Sequence, residues 1–500
     1  MSIARGLATG LLTACAASPE PALPTAERFK TWTSPEDTES NNHQVVQEQE
    51  AAAPTDRVVI IGAGLAGLAV AAELDDALVL EGGTTPGGRA SCFGHASFFF
   101  VDTPEQADVD VDDHLELAID NWQVLTGAEA TPEAVVFLEN SASVYDRMTG
   151  LGLSFSLGPE SHPELPRRQH LVDIDGTELV DLMMDDLSDG VTVRTEAWVE
   201  ELRVGPEGVT GVVVDGELIE ADTVVIATGG YVGNESMLDQ LLTLDESAWR
   251  SSADPFAQGD ALAWAADNGW ATTAPSSIGW LANAIGLPSE EGYAIKGSES
   301  LPPWIFINSN GERFHNEAIV WSVGLGHAIS MNWPAWGVAR WPDLLDFVYE
   351  GDREILEHHR ETGLLVCSED LGALAAEVGV DHEGLLDTLS SLRQQASSPS
   401  TDEFGRHSPA PVYQGGELCA FPPGREAAKS FGGLTVGEHG QVLSGDDGTT
   451  PIEGVFAVGE AAGMGAAGVG GIGGFDGSLT AVMWSGWRTG AYVAAQRDAN

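Results

Sequence analysis

The sequence predicts an α/β fold with a doubly wound, Rossmann-like parallel sheet, and three features indicate it. A short apolar, β-branched run from Arg57 to Ile61 ends on a glycine-rich turn, Gly62 to Gly67, and a helix follows. A second apolar strand, Ala77 to Leu80, comes directly after that helix. A later strand, Thr223 to Ala227, ends on another glycine corner, where backbone can approach a ligand closely.

The first glycine turn predicts a dinucleotide site, because each glycine in it has its own task. Gly62 permits the tight turn, Gly64 lets a pyrophosphate approach the backbone, and Gly67 lets a helix over Leu68 to Leu74 pack closely. The helix N-terminus favours the phosphate charge. Glu81 ends the second strand, at the place of an acidic residue that takes a ribose hydroxyl. A merely structural glycine turn is the weaker alternative in this context.

Composition indicates a globular protein with room for two or three domains. The chain has 500 residues, 43% of them hydrophobic, and carries 22 basic against 77 acidic residues, a formal net charge of −55. This charge disfavours nucleic acid and anionic membrane surfaces as partners. The acidic residues are spread along the chain, which favours a solvating coat over an acidic recognition surface.

The N-terminus resembles a bacterial lipoprotein signal, with Leu12-Thr13-Ala14-Cys15 in the place of the lipobox. Residues 1–15 are therefore predicted to be a signal, with a lipid anchor at Cys15 and a location in the cell envelope, on its periplasmic face. Residues 16–55 are rich in Pro, Glu, Ser, Thr and Gln and are predicted to be a disordered tether. A disordered start in a cytoplasmic protein is the alternative. No later segment is apolar enough to span a membrane.

Neither the cysteines nor the acidic stretch predicts a metal site. Cys15, Cys92, Cys367 and Cys419 are too few and too scattered for a disulfide framework, an iron–sulfur cluster or a haem site, and we expect packing residues, with pairing left open. The acidic stretch from Phe98 to Asp120 fails as a calcium loop. A loop that began at Asp108 would need Gly at its sixth position and Glu at its twelfth, and these positions hold Asp113 and Ile119. We expect it to be a solvated start of a helix.

The order of the remaining motifs resembles the flavoprotein subunits of fumarate reductase and succinate dehydrogenase, and their soluble relatives such as 3-ketosteroid dehydrogenases. The resemblance covers residues 56–496 and rests on GAGLAG with Glu81 and GGR, IATGGY, QGDALAWAADNG, INSNGERFHNE, FGR, FGGLTV and GVFAVGEAAG, then GSL and a final helix. It implies FAD, bound by a domain at 56–303 and 422–497, which an α+β capping domain at 304–421 interrupts. Substrate would lie between the cap and the flavin ring.

The resemblance also implies the cofactor contacts. Besides Gly62, Gly64, Gly67 and Glu81 they are Leu65, Ala66, Gly82, Gly87, Gly88, Arg89, Ala90, Val199, Ala227, Thr228, Gly229, Asp260, Gly459, Glu460, Gly477, Ser478 and Leu479. Gly459 and Glu460 would hold the ribityl chain, and the backbone at Ser478 and Leu479 would face the pyrimidine edge. Binding is expected to be non-covalent, because Arg89-Ala-Ser stands in place of the attachment histidine; His95 comes a little later.

The family's substrate residues are not carried over. The run from Gly468 to Gly477 lacks the arginine of fumarate reductases, and no arginine lies between Glu317 and Ala339, which disfavours a C4-dicarboxylate. Trp321 stands near the first tyrosine of the ketosteroid dehydrogenases, and their Tyr-Pro-Gly turn is absent. The cap is instead rich in tryptophan, either as core or as the lining of a site for an apolar or ring-shaped small molecule. These residues are Trp304, Trp321, Trp333, Trp336 and Trp341, with Trp264, Trp270 and Trp280 before them.

Four residues are the catalytic candidates. Glu317 matches a family glutamate in the proton path, and Arg313 and His315 stand beside it. His315 is suited to proton transfer near neutral pH, with a structural histidine as the alternative. Lys429 precedes Phe431-Gly-Gly, where fumarate reductases carry a substrate-binding histidine; a surface ion pair is its alternative. Arg406 and Tyr413 are expected to link cap and FAD domain.

These features predict an FAD-dependent oxidoreductase that dehydrogenates or reduces a carbon–carbon bond next to an activating group. An external electron donor or acceptor is required, because the cysteines provide no second redox centre. Two alternatives stay open. One is an amine or alcohol oxidase with the same fold, suggested by Gly87-Gly-Arg-Ala, and the other is a surface-tethered flavin-binding protein without turnover, suggested by the missing Arg and Tyr residues.

Overall fold

The computed structural model describes residues 57–87, 97–126, 130, 132–158, 165–234, 236–238, 250–251, 256–281, 284–285, 295–296, 302–317, 328–329, 331–348, 353–397, 402–406, 409–423, 426–445, 448–463 and 478–499. The predicted signal and tether, Cys92, His95, Trp321 and the run 468–477 lie outside the described residues. Within the described part of the chain, no helix has the length and apolar character needed to cross a membrane.

The described part of the chain contains both strands and α-helices. The strands are β1 (Val58–Ile61), β2 (Asp76–Leu80), β3 (Ser97–Phe99), β4 (Phe155–Leu157), β5 (Gln169–Val172), β6 (Gly190–Arg194), β7 (Val199–Gly205), β8 (Gly208–Val214), β9 (Glu217–Glu220), β10 (Thr223–Ile226), β11 (Arg250–Ser251), β12 (Thr272–Leu281), β13 (Ala284–Ile285), β14 (Ile295–Lys296), β15 (Ile305–Asn308), β16 (Ala335–Arg340), β17 (Val366–Ser368), β18 (Leu418–Phe421), β19 (Glu426–Leu434), β20 (Gln441–Leu443) and β21 (Pro451–Ala457). The α-helices are α1 (Leu65–Ala71), α2 (Pro104–Ala107), α3 (Leu115–Thr126), α4 (Pro132–Gly150), α5 (Gly176–Asp185), α6 (Asp260–Asn268), α7 (Trp341–Phe347), α8 (Arg353–Thr362), α9 (Leu371–Val378), α10 (His382–Ala396) and α11 (Ser478–Ala499).

A six-stranded sheet in the order β20-β21-β10-β1-β2-β6 forms the centre of the molecule. The strands from β21 to β6 run parallel, and β20 pairs antiparallel at the edge. Strand β1 is apolar and buried at every position, because one apolar core lies on each face of the sheet. Helices α1 and α11 contribute to one core, and strands β7 and β8 contribute to the other. The predicted α/β class with a parallel sheet is confirmed.

Helix α1 begins within the glycine turn, at Leu65, three positions earlier than the predicted start at Leu68. Gly64 is its N-cap, and all of its residues are buried. Two glycines of α11 permit this close packing: a Cβ on Gly486 would lie 2.5 Å from the carbonyl oxygen of Ala66, and one on Gly490 would lie 2.6 Å from that of Val70. The C-terminal helix therefore holds α1 in place.

A second sheet, in the order β15-β16-β18-β17, is antiparallel throughout and falls within the predicted capping segment 304–421. How the chain divides into domains stays a prediction. Trp304 is fully buried in this region, with its ring centroid 4.9 Å from that of Phe347 and 5.5 Å from that of Phe421. Trp264 and Trp270 are buried beside the central sheet. These three tryptophans are core residues rather than the lining of a substrate site.

Cys367 and Cys419 form a disulfide, which corrects the expectation that they serve only as packing residues. They lie opposite each other in the antiparallel pairing of β17 and β18, although 52 positions separate them in sequence. Their pairing depends on strand register, which cysteine spacing alone does not reveal.

The acidic stretch after β3 is only partly solvated, which corrects a second expectation. Asp108, Asp110 and Asp112 are exposed, but the side chain of Asp113 is fully buried and lies 2.6 Å from Nη2 of Arg168. Gln106 donates to the same carboxylate at 2.8 Å. A buried carboxylate requires such partners, because burial without them costs several kcal/mol.

His170 lies beside this ion pair and is fully buried. Its Nδ1 is 2.8 Å from the carbonyl oxygen of Arg168, so Nδ1 carries the proton, and Nε2 accepts from the hydroxyl of Thr103 at 2.7 Å. Burial lowers the pKa of His170, against the opposing effects of the Arg168 carbonyl, Glu105 and Asp113. The folded protein therefore holds this imidazole neutral.

The free energy of unfolding is expected to decrease as the pH falls below about 6.5, because His170 is buried in its neutral form. Its pKa is lower in the folded than in the unfolded chain, so its contribution is present above about pH 6.5 and is lost as the pH falls through the folded pKa. Urea unfolding from about pH 7.5 to about pH 5 should show this, with a slope of up to roughly 1.4 kcal/mol per pH unit from this group. His170→Gln should flatten the slope, whereas the exposed His358→Gln should not. Equal slopes in all three proteins would contradict the assignment.

Candidate cofactor and active site

The glycine turn between β1 and α1 is held by close backbone contacts. Gly62 has φ of +105°, and a Cβ there would overlap the carbonyl oxygen of Ala227. A Cβ on Gly67 would overlap the carbonyl oxygen of Gly62. Gly64 differs, since its φ of −73° and ψ of 174° are open to any residue. The backbone conformation at position 64 therefore does not require glycine, whereas Gly62 and Gly67 are required by the fold itself; the approach of a pyrophosphate to Gly64 stays a prediction.

Glu81 is buried at the end of β2 and is anchored to this turn. Its Oε2 accepts from the backbone N–H of Ala63 at 2.9 Å, and its Oε1 accepts from that of Gly83 at 2.8 Å. The N–H of Gly87 donates to the carbonyl oxygen of Ala63 at 2.8 Å, which brings the segment after β2 back onto the turn. The carboxylate thus has a fixed orientation at the carboxyl end of the sheet, where a ribose hydroxyl is expected.

The corner after β10 provides open space and an unsatisfied hydroxyl. Gly229 has φ of +75°, and a Cβ there would meet no atom within 4 Å. Oγ1 of Thr228 is buried without a hydrogen-bond partner. Buried hydroxyls normally have partners, so an unpaired one in a glycine-lined cradle suits a polar ligand. These observations fit a dinucleotide.

Glu460 links three segments of the chain through hydrogen bonds. Its Oε1 accepts from the hydroxyl of Ser430 at 2.8 Å, and that hydroxyl accepts from the N–H of Tyr231 at 3.0 Å. The preceding Gly459 has φ of +61°, and a Cβ there would lie 2.8 Å from that of Ala66 in α1. Ser430 is fully buried, and the sequence reasoning missed it. One feature of the sequence could have indicated this serine: it stands directly before Phe431-Gly-Gly, in a segment that otherwise has the character of a strand.

Three further predicted cofactor residues lie at the starts of strands or helices, and their contact with the cofactor stays a prediction. Val199 is buried at the start of β7, Asp260 is buried at the start of α6, and Leu479 lies in the first turn of α11. Next to it, the hydroxyl of Thr480 accepts from the N–H of Phe99 at 2.9 Å. Gly88, Arg89, Ala90 and Gly477 lie outside the described residues, and only the backbone of Ser478 is described.

Arg313 and Glu317 belong to a buried ion-pair network, which we call the 317 cluster and define as Arg313, Glu317, Asp402 and Arg406. Oε2 of Glu317 lies 2.7 Å from Nη2 of Arg313 and 3.0 Å from Nη1 of Arg406. Oε1 accepts from the N–H of Phe306 at 3.0 Å. Asp402 pairs with Nη1 of Arg313 at 2.7 Å. Two positive and two negative side chains thus balance one another.

The 317 cluster is held by local turns and by mutual charge. Oδ1 of Asp402 accepts from the N–H of Arg406 at 2.8 Å, which folds the FGR motif around it. Burial opposes the charge of Arg313, but Glu317 and Asp402 outweigh burial and raise its pKa. For Arg406, burial dominates and lowers the pKa despite Glu317. Asp402 was missed from sequence, because no pattern signals a partner 89 positions from Arg313.

His315 is the one catalytic candidate of the described cap segment with an unsatisfied polar atom. Its Nε2 is buried without a partner. Burial lowers the pKa of His315; Glu317 acts to raise it and Arg313 to lower it further. Lys429 stands on β19 opposite Gly279 in β12, with only its backbone described. Arg313, His315 and Glu317 are therefore brought together, and the catalytic use of all four residues stays a prediction.

The described residues contain no group of three His, Cys, Asp or Glu side chains that could hold a metal ion. These residues do provide a glycine-lined site that fits a dinucleotide, and they place His315, whose pKa burial lowers, in the same segment as the charge-balanced 317 cluster.

Comparisons with known proteins agree with this cradle. A family model described as "FAD binding domain" matches residues 57–475. NADH:fumarate oxidoreductase of Klebsiella pneumoniae (strain 342) is 24% identical over 438 residues, which are 83% of this chain and 45% of that protein. The 4-oxocyclohexanecarboxylate 2-dehydrogenase of Sinomonas cyclohexanicum is 28% identical over 350 residues, which are 63% of this chain and 60% of that protein. The chain thus spans about half the length of these two curated relatives.

Solved structures share the fold. A 3-ketosteroid delta1-dehydrogenase from Sterolibacterium denitrificans in complex with 1,4-androstadiene-3,17-dione matches with a TM-score of 0.71 and 19% identity, over 88% of this chain and 99% of that one. The open conformation of a flavocytochrome c3 fumarate reductase matches with a TM-score of 0.60 and 21% identity, over 89% of this chain and 79% of that one.

Proposed function

The chain belongs to the FAD-binding domain family, and on this premise we propose that it is an FAD-dependent oxidoreductase acting on a carbon–carbon bond next to an activating group. The observation that carries the proposal is the cradle formed by the glycine turn, the Glu81 carboxylate and the corner at Thr228 and Gly229. When bound, FAD supplies a hydride acceptor or donor at its ring. The names of the relatives, a fumarate oxidoreductase and an oxocyclohexanecarboxylate dehydrogenase, support carbon–carbon chemistry.

The substrate is a small molecule other than a C4-dicarboxylate. Arg313 and Arg406 are already neutralised by Glu317 and Asp402, so the 317 cluster offers no net positive charge to a second carboxylate. A carbonyl-conjugated alkene, or the corresponding saturated ketone, fits a site without net positive charge, because its reacting group is uncharged. An apolar or ring-shaped frame agrees with the likeness to the steroid dehydrogenase fold, although the related proteins named above differ in substrate.

His315 is the proton carrier in this proposal. A neutral imidazole with a free, buried nitrogen can take a proton from the carbon next to the one that loses hydride, or return it in reduction. Glu317 acts by positioning, because its carboxylate is already shared between two guanidinium groups and a backbone N–H. Arg313 orients the segment, since its Nη2 lies 3.4 Å from the carbonyl oxygen of His315. Lys429 is the candidate for contact with a substrate carbonyl.

FAD is bound non-covalently, and the protein works in the cell envelope with an external electron donor or acceptor. The lipobox-like Leu12 to Cys15 supports this location. The Cys367–Cys419 disulfide supports it independently, because disulfides persist in oxidising compartments.

The first experiment is acid precipitation of the purified chain, with the released cofactor identified by mass. Free FAD in the supernatant is expected; a yellow pellet would overturn non-covalent binding.

The second experiment follows the flavin absorbance without oxygen. The probes are 4-oxocyclohexanecarboxylate, 4-androstene-3,17-dione and fumarate, and both oxidation and reduction of the flavin are measured. Turnover of either ketone with little response to fumarate supports the proposal. Fumarate as the fastest oxidant would contradict the substrate assignment, rapid reoxidation by oxygen would favour an oxidase, and a yellow, inert protein would favour a flavin binder.

His315→Gln is expected to lower kcat by about 10²–10⁴-fold while leaving the FAD content unchanged, because glutamine cannot carry the proton. His359→Gln is the matched control, since Nε2 of His359 is also buried without a partner. Equal losses in both variants would assign His315 to structure and not to proton transfer.

A further inference from the structure

Two aromatic side chains border the loop that follows Glu81. A Cβ on Gly82 would lie 2.6 Å from Cε3 of Trp198, and one on Gly83 would lie 3.7 Å from Cε2 of Phe256. The two rings are 6.0 Å apart between centroids and tilted by 40°. Both residues are half-buried, so part of each remains accessible. We call this pair the aromatic wall.

Backbone hydrogen bonds fix the aromatic wall relative to Glu81. The N–H of Glu81 donates to the carbonyl oxygen of Arg194 at 2.9 Å, and that of Ala197 donates back to Glu81 at 2.8 Å. The N–H of Glu196 donates to the carbonyl oxygen of Gly83 at 2.8 Å. Trp198 therefore follows a segment that is tied at three points to the loop beneath its ring.

The wall stands at the carboxyl ends of β2 and β6, which is where ligands of open α/β sheets bind. The Glu81 carboxylate marks the expected ribose position, and the base attached to that ribose must lie within a few ångströms of it. Flat aromatic rings beside this position offer a stacking surface for a purine. Glycines at positions 82 and 83 leave room for the rings, since a side chain at position 82 would displace the indole.

We propose that the rings of Trp198 and Phe256 bind the adenine of the dinucleotide. The inference rests on FAD binding by the family and not on the reaction proposed above. Adenine nucleotides without a flavin, such as ADP, should therefore bind the flavin-free chain and compete with FAD. If the two rings only packed against the loop, they would contribute nothing to the binding of ADP.

The test measures binding of FAD, FMN and ADP to the full chain after removal of flavin, with tryptophan fluorescence as a second signal. Trp198→Ala should weaken FAD and ADP by about tenfold to a hundredfold and leave FMN unchanged, because only the first two carry adenine. Trp198→Phe should restore most of the affinity but lose the fluorescence quenching by ADP. Phe256→Ala should act in the same direction as Trp198→Ala.

Trp336→Ala is the control, since Trp336 is a partly buried tryptophan of the cap that packs on another core. It should change none of the three affinities. Equal weakening of FMN and FAD by Trp198→Ala would overturn the proposal. Should Trp198→Ala fail to fold, Trp198→Phe decides, since ADP quenching equal to that of the unmodified chain would also overturn it. Activity plays no part in these readouts, so failure of the proposed reaction leaves the test intact.

Discussion

Glu317→Ala is expected to lower the free energy of unfolding by about 3–5 kcal/mol, because it leaves two guanidinium groups buried without their shared partner. The side chains of Arg313 and Arg406 are 7% and 2% exposed, so water does not replace the lost carboxylate. Chemical denaturation of the FAD-loaded chain measures the loss. Glu312→Ala is the matched control, since Glu312 lies in the same segment and is exposed.

The neutral variant Glu317→Gln separates positioning from proton transfer. It retains the shape but removes the charge, so the 317 cluster gains a net positive charge. Its amide nitrogen also cannot accept the hydrogen bonds that one carboxylate oxygen of Glu317 accepts. Stability should fall, and kcat should fall with it while the pH profile keeps its shape. A stability equal to that of Glu312→Ala would rule out the anchoring role. A shifted pH profile at unchanged stability would return Glu317 to the proton path.

Gly67→Ala is expected to release FAD and to destabilise the fold by about 1–3 kcal/mol or more, because the added methyl group overlaps the carbonyl oxygen of Gly62. Either the turn or α1 must then move. Gly150→Ala is the control: Gly150 also lies in a helix, and a Cβ there meets no atom within 4 Å. It should be neutral or slightly stabilising. Flavin content and thermal unfolding of both variants test this; a Gly67→Ala protein with full FAD would refute it.

Gly64→Val provides the complementary case. The backbone at Gly64 is already extended, so valine adds no conformational strain there. Flavin retention should be lost while the flavin-free chain stays folded. A yellow variant would contradict the assignment of Gly64 to the pyrophosphate.

The cap illustrates where sequence reasoning reached its limit. The sequence indicates Arg313, His315 and Glu317 as one unit because the three residues are close in the chain, and their catalytic use stays a prediction. Their roles were not separable, since the partner that neutralises Arg313 is Asp402 and the second guanidinium on Glu317 is Arg406, both supplied by a distant turn. The same holds for the tryptophans. The sequence shows that the predicted cap is rich in tryptophan, but the packing in the folded structure is needed to assign Trp304 to the core.

By itself, the sequence determined the α/β class, the strand–turn–helix unit at Val58 to Ala71 and the acidic residue at the end of β2. These follow from local patterns, since strand and helix periodicity and the conformational freedom of glycine act within a few residues. Three contacts became known from the folded structure alone: Cys367 pairs with Cys419, Ser430 binds Glu460, and Trp198 covers Gly82. Such contacts join segments far apart in the chain, and their partners depend on how strands align and pack, which no local pattern specifies.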